Sequence, residues 1–274
     1  MFISSNGFLL NSFEKLTSNR TSKNQFTEKL SSGKRINRAA DDAGGLSISE
    51  SLKAQIRGLS MAGKNTQDGI SMLQVADGAM DEITKTLHRM KELSVRASND
   101  ILTESDRQAI GEEFNQLKEN IGNISQNTEF NWIKILNGDK TLVIQTRDNP
   151  YASYNVKLNN NSLQALGIDS ISINTAANSN EANGKIKDAL DTVIKNRVEI
   201  GTHLNNLQHA FNNTSNSGSN LTSSLSQIED VDMAATLMKS VKDDLLINYN
   251  KSMLVSSKQS NEEVNTVINK WLLG

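Results

Sequence analysis

One stretch of this sequence, residues 36–93, restricts the fold more than any other. In its second half the apolar residues lie three or four positions apart: Leu73, Ala76, Met80, Ile83, Leu87 and Met90. An average spacing of 3.5 residues keeps one stripe of a helix facing a partner helix, as in a coiled coil. We therefore predict a helix from about residue 46 to residue 99, and we expect the rest of the chain to pack against it.

Two later stretches have the same spacing and predict the partner helices. The first covers residues 104–128, follows a capping sequence at Thr103, and carries Ile110, Phe114, Leu117, Ile121 and Ile124. The second run is the longest in the chain and keeps one register, which Arg197, Thr214 and Gly218 interrupt. Its apolar residues are Ile186, Leu190, Val193, Ile200, Leu204, Leu207, Phe211, Leu221, Leu225 and Ile228. The phase then slips to Val231, Ala234, Met238, Val241 and Leu245, which predicts a stutter or hinge after Ile228.

The segment between these helices loses the helical spacing. Residues 141–145 and 154–158 have the composition of two short strands, and 170–173 could form a third. The polar stretch 174–184, rich in Ala, Asn and Ser, is interpreted as a loop.

The predicted fold is therefore mainly α: a long antiparallel coiled-coil helical bundle with a small β-hairpin element and with the N- and C-terminal segments packed together. We expect an inner helical domain of residues 1–43 plus 230–274. The outer domain then covers 44–229, has its β element near 139–175, and leaves no space for an inserted variable domain.

Composition excludes several classes of protein. The 274 residues include one proline, Pro150, so very long helices are permitted. The net charge of −2 gives no support to a general nucleic-acid function. There is no cysteine, no apolar run near the roughly 20 residues that span a bilayer, and no conventional signal peptide at the N-terminus.

The sequence contains no catalytic arrangement. The three histidines, His88, His203 and His209, form neither an HExxH motif nor a pair at metal-ligand spacing. No glycine-rich loop follows a strand, so nucleotide binding is unsupported. We therefore expect no enzymatic activity, no cofactor and no metal site.

Several motifs resemble bacterial flagellin. The sequences LSSGKRINRAADDAGGLSISESLKAQIRGL, NTQDGISMLQVADGAMDEI and LHRMKELSVRASND look like its N-terminal core, and TEFNWIKILNG and SQIEDVDMA also match in family order. This resemblance implies a core-only structural subunit that self-assembles into the flagellar filament for motility. It also implies secretion through the flagellar type III export channel to the outside of the cell.

The resemblance also implies partners. These are further copies of the chain in a helical homopolymer, an export chaperone at residues 230–274, the filament cap and junction proteins, and the flagellin-sensing Toll-like receptor. Arg89, Glu92 and Leu93 match the receptor-recognised segment, and Glu113 matches an acidic position on the next helix. Arg96 departs from the glutamine that is frequent in receptor-active flagellins.

Two further departures concern local structure. Trp132 stands where flagellins usually have glycine, and the C-terminal tail resembles the family ending only loosely.

The weak apolar stripes at both ends are expected to order only between subunits, through many heterologous contacts that build an open helix. The residues assigned to this assembly seam are Phe8, Phe13, Leu237, Val241, Leu245, Val264 and Ile268.

Two other protein classes share part of this pattern. A hook–filament junction protein has similar terminal motifs, but the continuous NTQDGISMLQVADGAMDEI match favours flagellin. A coiled-coil signalling or scaffold protein would be dimeric and would need no β element, and apolar stripes at both extreme ends would have no explanation.

Overall fold

The computed structural model describes residues 2–149 and 153–272. Side-chain surroundings are described within these ranges except at 2–9, 260, 261, 264, 265, 268 and 270–272. The helices are α1 (Phe2–Ser32), α2 (Ala43–Ala97), α3 (Glu104–Asn127), α4 (Ala176–Glu229) and α5 (Met233–Leu272). The strands are β1 (Glu129–Phe130), β2 (Ile133–Lys134), β3 (Lys140–Gln145) and β4 (Ser153–Leu158).

The chain divides into two compact units. Unit 1 comprises Met1–Ala54 and Leu221–Gly274, and unit 2 comprises Gln55–Asn220. Both divisions fall inside a helix, α2 or α4. The domain limits predicted from the sequence, 1–43 with 230–274 and 44–229, follow helix ends instead and stay a prediction.

The apolar stripe of α2 forms the centre of the core of unit 2. Every residue of the predicted stripe from Leu73 to Met90 is at most 1% exposed. Phe114 and Ile121 of α3 and Ile186 and Val193 of α4 are buried in the same cluster. The mainly helical fold predicted from the sequence is therefore confirmed, because the 3.5-residue spacing identifies the buried side of each of these helices.

Capping side chains mark the starts of α2 and α3, and a glycine follows the end of α1, where the sequence predicted breaks. Asp42 caps α2, since the Gly45 amide donates to its Oδ1 at 2.8 Å. Thr103 caps α3 by accepting a hydrogen bond from the Asp106 amide at 3.2 Å. Gly33 follows α1 with a φ of 69°, a conformation that glycine adopts without strain.

Two local predictions in the middle of the chain are wrong. Residues 170–173 form no strand, although Ile171 and Ile173 are buried in the core. Residues 176–184 belong to α4 and not to a loop, because Thr175 caps the helix and accepts from the Asn178 amide at 3.2 Å. The small residues Ser179 and Ala182 form its buried side, which the polar composition concealed.

The β element consists of two antiparallel hairpins. Strands β3 and β4 pair as predicted, with Lys140 opposite Leu158 and Gln145 opposite Ser153. The shorter pair, β1 with β2, was not predicted; Phe130 pairs with Ile133 around a two-residue turn. Pro150 lies outside the described residues.

Gly69 allows the larger hairpin to lie close against α2. A Cβ atom at this position would overlap Cδ1 of the buried Ile144 and would lie 3.4 Å from Leu207. A Cβ atom at Gly78, also in α2, would face open space. Position 69 therefore has no space for a side chain, whereas position 78 of the same helix does.

We expect Gly78→Ala to stabilise unit 2 by up to about 1 kcal/mol, because alanine has the higher helix propensity. Gly69→Ala should instead destabilise it by about 1 kcal/mol, since overpacking against Ile144 outweighs the same gain. Urea unfolding followed by circular dichroism measures both changes. Equal stabilisation by the two substitutions would show that the hairpin does not depend on Gly69.

Candidate assembly and recognition surfaces

The helices α1 and α5 pack against each other in unit 1 through a face with many polar residues. Among the side chains that the structure describes, Thr236 and Ile247 are buried on α5, and Ser12 and Leu16 are buried on α1. An ion pair of 2.6 Å between Lys23 Nζ and Asp244 Oδ1 connects the two helices. Residues of α5 that face inward recur at steps of three and four, so they form one continuous stripe.

Many large apolar residues of these helices, unlike Leu16 and Ile247, are exposed. Leu237 is 55% exposed, Val241 52% and Leu245 65%, and Phe13 of α1 is 65% exposed. Met233, Met238, Tyr249 and Val255 are also exposed on α5. We call Leu237, Met238, Val241, Leu245 and Tyr249 the outer stripe. An apolar stripe of this length is typical of a surface that binds another molecule.

The outer stripe agrees in position with the assembly seam proposed from the sequence. Its register is the one that follows the phase slip at Ile228. The helix is interrupted at the same place, because residues 230–232 separate α4 from α5. Phe8, Val264 and Ile268 of the predicted seam lie outside the residues whose side chains are described.

The segments before α2 and after α4 are joined by backbone hydrogen bonds. The Arg35 amide donates to the Glu229 carbonyl at 2.7 Å, and the Val231 amide donates to the Gly33 carbonyl at 3.0 Å. The Arg35 guanidinium also donates to the Ile228 carbonyl, with Nη2 at 2.8 Å. These bonds satisfy carbonyl groups that a helix end leaves without a helical partner.

Glu229 adds ion pairs to these backbone hydrogen bonds. Its side chain is buried and accepts from Lys34 Nζ at 2.6 Å and from Lys53 Nζ at 2.9 Å. Burial opposes ionisation, but the hydrogen bonds from Lys34 and Lys53 outweigh it and hold the pKa of Glu229 below its ordinary value. Glu229 and then Glu50 raise the pKa of Lys53. We interpret the cluster as structural, because each charge has a partner.

A second charged cluster lies on α2 and α3 in unit 2. Arg89 is half-exposed, with Nη1 3.0 Å from Glu92 Oε2 and Nη2 2.8 Å from Glu113 Oε1. Glu113 and then Glu92 raise the pKa of Arg89. The structure thus brings together three of the four residues that were assigned to receptor contact.

Leu93, the fourth, does not belong to this surface. It is 2% exposed and packs in the core of unit 2, because a step of three from Met90 continues the buried stripe. Leu93 therefore offers no exposed apolar side chain beside Arg89 and Glu92. Val95, three residues beyond Glu92 and exposed, is the apolar residue that this part of α2 presents.

His203 contacts a tyrosine of the larger hairpin. His203 Nδ1 lies 2.8 Å from the Tyr154 hydroxyl, and the two rings make an edge contact with centroids 5.6 Å apart. Across the residues that the structure describes, no group of three or more His, Asp or Glu side chains is placed to hold a metal ion. None of the described helices has an apolar stretch that could cross a lipid bilayer.

Two family models match this chain. The model of the bacterial flagellin N-terminal helical region matches residues 3–141, and that of the bacterial flagellin C-terminal helical region matches residues 184–267. A flagellin from Halalkalibacterium halodurans is 38% identical over 267 residues, which cover 96% of this chain and 98% of the relative.

Solved structures give the same fold. The crystal structure of Bacillus cereus flagellin is 25% identical, with a TM-score of 0.50, and the match covers 55% of this chain and 88% of that one. A candidate flagellar hook-associated protein from Vibrio parahaemolyticus has a TM-score of 0.59. It is 15% identical, and the match covers 69% of this chain and all of that one, so it supports the fold alone.

Proposed function

The chain belongs to the bacterial flagellin family and is a structural subunit of the flagellar filament, and we propose that it polymerises through the outer stripe of α5. The observation that carries this proposal is the direction of the apolar residues in unit 1. The side of α5 that faces α1 is largely polar, whereas Leu237, Val241 and Leu245 face solvent.

Burial of the outer stripe between subunits supplies the driving force. Each fully buried Leu, Val or Met side chain contributes about 1.5–3 kcal/mol relative to exposure in water. Several such residues on one helix are needed, because association costs about 4–15 kcal/mol in translational and rotational freedom. Contacts between different surfaces of neighbouring copies build an open helix instead of a closed ring.

The other two protein classes are set aside on the extent of the similarity. The match to a flagellin at 38% identity covers nearly all of both chains, whereas the likeness to the hook-associated structure rests on 15% identity. A signalling scaffold is not supported, since the chain matches flagellin models at both ends. We infer no enzymatic activity for this member of a structural family.

We propose a core-only subunit that is exported through the flagellar type III channel and functions outside the cell. In the part of this stretch that the structure describes, the two hairpins and a connection of residues 159–175 lie between α3 and α4, which supports the absence of an inserted variable domain. Filament cap and junction proteins would contact the terminal subunits of the polymer.

Val241→Asp or Leu245→Asp should abolish polymerisation, because a charge in an apolar contact is strongly unfavourable. Unit 2 should remain folded, since both residues are exposed and belong to unit 1. Sedimentation after seeding measures polymer, and circular dichroism measures helicity. Lys239→Asp, at an exposed position of α5 outside the stripe, is the control and should polymerise. Normal filaments from both stripe variants would refute the proposal.

A cytosolic export chaperone should cover residues 230–274, because an exposed apolar stripe makes the unpolymerised subunit prone to aggregate. A chain that ends at Ile228 should lose a partner that the full chain retains in a pull-down assay. If the shortened chain retains that partner at the same occupancy, the binding site lies elsewhere.

Monomer should activate the flagellin-sensing Toll-like receptor through Arg89, Glu92 and Glu113. Arginine offers a planar set of donors and is frequent at binding hot spots. Arg89→Ala should reduce activation by roughly tenfold or more. It should change stability little, since its ion pairs are exposed. A reporter-cell assay with folded monomer tests this.

Lys187→Ala removes an exposed basic residue from α4 and is the matched control, with activation expected near that of the parent. Full activity of Arg89→Ala, or an inactive parent monomer, would exclude this receptor contact.

A further inference from the structure

The turn between β1 and β2 holds an aromatic residue in an unfavourable backbone conformation. Asn131 has a φ of 50° and Trp132 a φ of 63°, as in the type I′ turns whose second position favours glycine. The Trp132 side chain is also 88% exposed. The folded chain therefore accepts backbone strain at Trp132 and buries little of the indole in return.

A groove of about 370 Å³ lies directly beside this turn, between α2 and the two hairpins. Its apolar lining comes from both sides: Met72, Phe130, Ile133, Leu142, Val143 and Ile144. Asp68 is the only charged residue among the described residues that line it, and Asn65, Gln145 and Asn131 are the polar ones. This composition resembles the centre of a protein interface, from which charged residues are depleted.

The apolar surface continues beyond the groove. Val143 is 66% exposed and Ile133 is partly exposed. On α2, Met61 and Val75 are exposed and share one face with Asn65, Asp68 and Met72, because these positions follow at steps of four, three, four and three. We call Trp132, the groove and these two flanking residues the hairpin face.

We propose that the hairpin face is a contact surface for a second copy of the chain, with Trp132 as its central residue. The inference rests on the self-assembly proposed above, because a filament subunit is surrounded by copies of itself. Tryptophan is among the residues most enriched at binding hot spots, and an apolar groove beside it supplies the desolvated surroundings that hot spots need. Contact with another subunit would give the exposed indole the burial that its own chain does not provide.

One substitution separates this role from a structural role within the monomer. Trp132→Gly removes both the strain and the indole, so we expect the melting temperature of the monomer to rise by about 2–4 °C. The same variant should polymerise less well, with the critical concentration raised by roughly tenfold or more. If Trp132 made no contact with another subunit, Trp132→Gly would raise the melting temperature without raising the critical concentration.

Trp132→Tyr is the control, because it retains an aromatic side chain and the strained conformation. It should keep the parental melting temperature and a critical concentration within about threefold of the parent. Val143→Asp tests the groove without changing the turn, and it should raise the critical concentration while the monomer stays folded.

The outcomes distinguish this inference from self-assembly itself. If Trp132→Gly and Val143→Asp both polymerise as well as the parent, the hairpin face is not an interface. If the parent chain forms no polymer after seeding, the self-assembly proposal fails first and the inference fails with it. Loss of polymer in both variants, with folded monomers and a normal Trp132→Tyr polymer, supports the hairpin face.

Discussion

The packing of α1 against α5 is the constraint on which the rest of the account depends. Helices in a stable monomer normally pair through their apolar sides. Here the contact buries Ser12 and Thr236 beside Leu16 and Ile247 and carries the Lys23–Asp244 ion pair, while Val241 and Leu245 face solvent. This arrangement leaves the apolar side of unit 1 without a partner inside the described chain, so its burial requires another molecule.

Unit 2 differs, because its apolar stripes are buried in its own core. Its stripes on α2, α3 and α4 are buried together, and the larger hairpin closes against α2 at Gly69. The ion pairs of Glu229 belong to unit 1, where Lys34 and Lys53 neutralise the buried carboxylate. A subunit organised in this way can be a folded monomer before assembly and can still retain apolar surface for the polymer.

Much of the fold could be predicted from the sequence because buried helix stripes have a clear period. The residues from Leu73 to Met90 identified the core side of α2, and Thr103 marked the start of α3. The same rule, followed one step further, would have placed Leu93 in the core. The start of α4 was missed because its buried side consists of Ser179 and Ala182, which have little hydrophobic signal.

The surfaces were harder to predict, for physical reasons. The turn at Asn131 and Trp132 lacks the glycine that is the usual signal of a type I′ hairpin, so sequence pattern alone did not reveal β1 and β2. The ion pair between Arg89 and Glu113 joins residues on different helices, and its geometry needs a structure. The period of α5 predicted an apolar stripe, but period alone cannot say whether a stripe faces α1 or another subunit.

Selective labelling of single cysteines tests the central claim most directly, because the natural chain has none. Val241→Cys lies on the outer stripe, and Ile247→Cys replaces a residue that is 4% exposed against α1. The account predicts a thiol at 241 that reacts rapidly in the monomer and becomes protected in the polymer, while the thiol at 247 reacts slowly in both. A thiol at 241 that is already protected in the monomer, or that reacts equally fast in the polymer, would contradict it.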